Sequence, residues 1–207
     1  MSSRQNAFGI AAAMLAAMLQ GCVTPGPATH FYILTPTVAA TPAATNAQVA
    51  ALTIVIKDLR LPIYLDRPQI VTRDAGSHLE FSELEQWGGP LREDMTRVLV
   101  TNLGKLLDGD RVVAAPYPAS TPPDYRIEVD ILGFERLPGG RVALNAQWWI
   151  TRGRDGALHR ASKKLLESAP LADLASYDKL VSSMSAVYGE LAQAIAQDIR
   201  GSGVALP

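Results

Sequence analysis

Cysteine is almost missing from this sequence. Cys22 is the only one in 207 residues, so no disulfide can form within the chain and no cysteine cluster can hold a metal. Histidine is scarce too: His30, His78 and His159 lie in three separate segments, none with a partner at metal-ligand spacing, and each reads as a lone surface residue. An excess of charge of either sign is also lacking, with 19 Lys and Arg against 20 Asp and Glu. That balance offers no electrostatic footprint for nucleic acid and no polybasic membrane surface. No glycine-rich phosphate cradle follows a strand, and no Gly-x-Ser-x-Gly elbow occurs. Glu83 and Glu85 alternate as acids do on a solvated edge, not as a catalytic pair. The expectation is a binding or structural protein, not an enzyme, with no cofactor and no metal.

Long apolar runs are also few. Residues 7–19 form an uncharged apolar stretch behind the positive Arg4, but a spanning helix needs about 20 such residues, and this one is closer to the ~7–15 of an export signal. It closes on Leu19-Gln20-Gly21-Cys22, which resembles a bacterial lipobox. Cysteines in such boxes carry a diacylglycerol thioether and an amide-linked acyl chain after cleavage. Two chains suffice for stable anchoring at about 0.8 kcal/mol per buried methylene, so three should hold the amino terminus on its bilayer.

The expected organisation follows the chain. Residues 1–21 are a signal segment. Residues 22–49, rich in Pro, Ala and Thr, contain no charged residue and read as a tether, interrupted by Phe31-Tyr32-Ile33-Leu34 as a short docking strand. Residues 50–207 suit one periplasmic domain. Within it, Leu52 to Ile56 is a nearly continuous aliphatic run, as in a strand covered on both faces. A hairpin is expected over 69–73 and 78–82, turning through Asp74-Ala75-Gly76-Ser77. A helix follows over 90–107, with Pro90 in its first turn, Glu93 and Asp94 at its positive end and Lys105 at its negative end. Three strands then form a meander over 124–136, 141–152 and 157–167. In the middle one, alternation sends Trp148 into the core and Trp149 to the opposite face. A second helix spans 176–200. The fold class is α+β, two-layer, a mixed or mostly antiparallel sheet with two main helices packed on one face.

The stretch from Leu61 to Arg73 stands out, because it puts aromatic, aliphatic and charged residues between Pro62 and Pro68 where a loop should be short and polar. Asp66 and Arg67 could form a local ion pair there, and Tyr64 could lid the core. Together with Trp87 before the first helix, and Val98-Leu99-Val100-Thr101-Asn102-Leu103 within it, this segment resembles the PqiC family of paraquat-inducible lipoproteins, auxiliary components of ABC-type transporters. The resemblance covers nearly the whole chain, although Gln86 and Gly88-Gly89-Pro90 depart from the family's pattern around the tryptophan, a charged or His residue near it and a Glu-Pro after it. It implies a lipoprotein on the inner leaflet of the outer membrane, lipid-anchored and facing the periplasm. It also implies partners: a mammalian cell entry (MCE) domain protein, an inner-membrane ABC transporter or permease, and further copies of the chain in a homo-oligomeric ring. Val23 after the cysteine is consistent with outer-membrane sorting. Tyr64, Asp66, Arg67 and Trp87 are the candidate contact residues, since aromatic and arginine side chains anchor interfaces, and Cys22 is the candidate lipidation site. The competing reading is a structural or chaperone-like envelope lipoprotein unconnected to transport.

Overall fold

A computed structural model describes residues 26–39, 52–74, 76–107, 111–117 and 121–201. The expected signal segment 1–21, Cys22 and the second half of the expected tether lie outside the described residues. Among the described residues ten elements follow one another: β1 (His30–Tyr32), β2 (Thr53–Arg60), β3 (Gln69–Arg73), β4 (Leu79–Trp87), α1 (Leu91–Leu106), β5 (Arg111–Ala114), β6 (Tyr125–Arg136), β7 (Val142–Arg152), β8 (Leu158–Glu167) and α2 (Tyr177–Arg200).

The strands form one mixed sheet built around β6. On one side β6 pairs antiparallel with β7, and β7 with β8. On its other side β6 is long enough for two parallel partners placed end to end: β2 along its first half and β3 at its far end, where Thr72 meets Arg136. Outside β2 lies β5, parallel; outside β3 lies β4, antiparallel, and then β1, parallel to the last part of β4.

Both helices cover one face. α1 follows Pro90 directly, and its buried stripe of Leu91, Met95, Val98, Leu99 and Leu103 faces the sheet. α2 begins at Ser176, whose side chain accepts from the Lys179 N–H at 3.3 Å. The helices are joined by the buried Tyr188, whose hydroxyl donates to the Met95 carbonyl at 3.0 Å. Trp148 is fully buried beneath α2, and its indole N–H donates to Asp198 Oδ2 at 3.0 Å, so the ring loses no hydrogen bond on leaving water. Trp149 points to the other face and stays partly exposed.

Three features differ from the sequence reading. β4 runs five residues beyond the expected hairpin, so Glu83, Leu84 and Glu85 are strand residues and Trp87 ends the strand. β5 was not anticipated. Docking of the amino-terminal segment is also more extensive than one short strand. After β1 the chain crosses the helices as a strap: Leu34 is fully buried and Val38 nearly so, the Leu34 N–H donates to Asp94 Oδ2 at 2.7 Å, and the Thr35 N–H donates to Ser185 Oγ at 3.1 Å. Gly189 on α2 makes this crossing possible, because a Cβ there would collide with the Thr37 hydroxyl.

Candidate partner-contact face

The loop between β2 and β3, residues 61–68, folds back over the sheet face that the helices leave open. Its turn is closed by the Leu65 N–H donating to the Pro62 carbonyl at 2.9 Å, which drives Leu65 into the core. Tyr64 lies half-buried against β6, where a β-bulge between Ile131 and Gly133 reverses the alternation of the strand. The bulge brings Glu135 to 4% exposure under the tyrosine. Tyr64 Oη donates to Glu135 Oε2 at 3.0 Å, and Arg73 donates to Oε1 from Nη2 at 2.5 Å and from Nε at 3.1 Å. Burial first, and then the Glu135 charge, push the Tyr64 hydroxyl well above its ordinary pKa, so it remains a donor at every physiological pH.

The neighbouring charges do not pair with each other. Asp66 reaches across to Arg92 on α1, with N···O at 2.5 Å. Arg67 lies over the Phe81 ring on β4, 4.2 Å from its centroid, a cation–π contact. Trp87 is 5% exposed and belongs to the core, while its backbone N–H donates to the Pro68 carbonyl at 2.7 Å and ties the loop to β4. The four residues singled out in the sequence are therefore brought together but divide in role. Tyr64 and Trp87 support the face from below, whereas Asp66 and Arg67 are exposed on it.

Between loop and strand lies a shallow depression of about 430 Å³, lined by Phe31, Arg67, Pro68, Trp87, Pro90 and Leu91. Two side chains of the expected docking strand stand at it: Phe31, at 66% exposure, lines it, and Ile33, at 57%, lies against its Gly88. Exposed apolar residues gathered around one depression, instead of scattered singly, mark a contact surface. On the alternate residues of the same strand pair His30, expected to stand alone, holds Glu85 through Nδ1 at 3.0 Å, and Tyr32 donates to the same carboxylate at 2.7 Å. These bonds, from Tyr32 first and His30 second, hold the Glu85 carboxyl below the usual carboxylate range, while burial and the Glu85 bond push the Tyr32 hydroxyl up to about 12.

Over residues 32–196 the sequence matches the model of the family described as ABC-type transport auxiliary lipoprotein component. The chain belongs to that family. The match begins inside β1 and ends near the close of α2, so family membership takes in the strap, the loop and the whole sheet. No curated protein matches the chain. Among solved structures, a protein from Xanthomonas campestris assigned to the family DUF330 has a TM-score of 0.68 at 15% identity, covering 84% of this chain and 96% of that one. A crystal structure of an uncharacterized protein has a TM-score of 0.66 at 20% identity, covering 84% and 99%. At such identities these likenesses establish the fold alone. No helix among the described residues is long and apolar enough to cross a membrane.

Proposed function

We propose that this chain is a non-enzymatic docking component of an MCE-type ABC lipid-transport system. In this reading it is held on the periplasmic face of the outer membrane by acylated Cys22 and assembles with further copies of itself to meet its MCE partner. The observation that carries the reading is the family match over residues 32–196, whose name supplies the association with ABC-type transport. The exposed face around Arg67 and Phe31 supports it, because a tethered protein without chemistry acts by contact. The lipobox supports the anchor, and Val23 the choice of membrane.

Cells carrying the wild type or Cys22→Ser are fed an alkyne fatty acid; only the wild type should be labelled, and it should fractionate with outer membrane. Crosslinking followed by pull-down of the acylated protein should then recover an MCE-domain protein and a transporter subunit. Labelling of both forms would remove the anchor. Recovery of envelope proteins unrelated to transport would favour the structural or chaperone-like alternative.

A further inference from the structure

Two open strand edges of this sheet carry opposite charge. β8 pairs with β7 alone, and among the described residues its other edge meets no strand. It bears Arg160, Lys163 and Lys164 against a single acid, Glu167. Arg160 and Glu167 are already engaged, with Asp198 and Arg141, whereas Lys163 and Lys164 have no ion pair among the described residues. At the other end of the sheet, β1 covers only Glu85 to Trp87 of β4, which leaves the edge from Leu79 to Leu84 open. β4 contains Glu80, Glu83 and Glu85 and no base. Glu85 is held by His30 and Tyr32, while the Glu80 and Glu83 carboxylates make no ion pair among the described residues.

An exposed strand edge is a template for another strand, and proteins that remain monomeric usually disguise it. Here each edge also carries apolar side chains, Leu158 at 62% and Leu165 at 63% exposure on β8 and Phe81 at 39% on β4. We infer that the basic edge of β8 docks on the acidic edge of β4 in a second copy of this chain, joining the two sheets. The directions agree. β8 runs parallel to β6 and β3 but against β4, so a sheet continued from one copy to the next places β8 and β4 antiparallel, the pairing whose hydrogen bonds run straight across. Among the described residues β1 and β5 also have an open edge, but neither can substitute: β1 is three residues long, and β5 is four, with its one charge, Arg111, of the same sign as β8. Because the two joined surfaces differ, the contact is head to tail, and repeating it yields a closed ring when the rotation closes. It also fixes where the candidate face lies, since Arg67 rests on Phe81 of that same β4.

The inference rests on the self-assembly in the proposed function and locates its surface. Full-length protein, purified from membranes in detergent, is measured by native mass spectrometry and by light scattering over a concentration series. The wild type should give a discrete assembly. Lys163→Glu with Lys164→Glu should weaken association at least tenfold, as should Glu80→Lys with Glu83→Lys, each with an unchanged circular dichroism spectrum. Combining all four substitutions in one chain should restore the assembly, which a variant damaged in folding would not do. A monomeric wild type sinks self-assembly and this contact together. A wild-type assembly that neither pair of substitutions disturbs leaves self-assembly standing and overturns the β8–β4 contact. If the β8 variant keeps its mass but loses binding to vesicles containing anionic phospholipid relative to neutral ones, the basic edge is a membrane surface and the inference is wrong.

Discussion

The two faces of the sheet solve different problems with adjacent residues. On the helix side Ile127, Val129, Ile131, Trp148 and Ile150 are at or near zero exposure. On the open side the same strands present Glu128 to Lys57 at 2.7 Å, Asp130 to Arg60 at 2.5 Å and Gln147 to Asp130 at 3.3 Å. One peptide bond separates Trp148 from Trp149, yet the first is sealed under α2 and the second is partly exposed beside Glu128 on the open face. Stability is concentrated on the helix side, and the open side is free to carry contacts and charge.

The sharpest way to break this comparison is to truncate the two tryptophans in turn. Trp148→Ala should cost about 3–5 kcal/mol in urea unfolding, because it empties a large buried volume and removes the indole hydrogen bond to Asp198. Trp149→Ala should cost clearly less, and equal losses would mean that the open face is as buried as the other. The open side has one dry spot, at Glu135. Glu135→Ala should cost about 1–3 kcal/mol, since it leaves Arg73 and Tyr64 without their shared acceptor. Arg67→Ala, fully on the surface, should barely move the melting temperature while reducing capture of the MCE partner. A large drop in melting with normal capture would make the loop a lid and nothing more.

A smaller effect follows from Glu85. Its carboxyl is held below the ordinary range in the folded state, so its bonds to Tyr32 and His30 stabilise the protein above the unfolded value and fade as pH falls through the folded one. The melting-temperature advantage of wild type over Glu85→Gln should be complete at pH 7 and shrink below about pH 4. Smallest of all, Lys57→Ala should change stability by about 0–1 kcal/mol, because its partner Glu128 has other company in Arg60 and the pair is exposed.

Much of this architecture is readable in the sequence where a period repeats long enough. The apolar stripes of α1 and α2, the Pro90 and Ser176 starts and the alternation in β7 each carry several turns or pairs of signal, and each lands within a residue or two of the structure. The rest escapes for identifiable reasons. Leu34 belongs to the apolar island expected to dock, but Val38 is a core residue with no periodic element around it, so nothing in the sequence marks how far the strap continues. Glu135 is buried because the bulge at Gly133 shifts the parity of β6, and a glycine inside a strand hints at such a bulge without saying where the next carboxylate will point. Glu85 looks like the polar end of a hairpin until β1, more than fifty residues earlier, is laid beside it. Of the candidate site, the loop was legible as an anomaly. The partners of Asp66 and Arg67 were not, because they come from α1 and β4 and not from each other.

The strap also decides how the molecule bears tension. A pull on the residues before His30 acts along β1, which lies parallel to β4, and must shear their backbone bonds together instead of opening them one at a time. Past β1 the load meets Leu34, clamped between the Asp94 carboxylate on its N–H and the Arg97 guanidinium on its carbonyl, both from α1, and then Thr35 and Thr37, fastened to Ser185 of α2. The amino end is thus fastened in series to the sheet and to both helices.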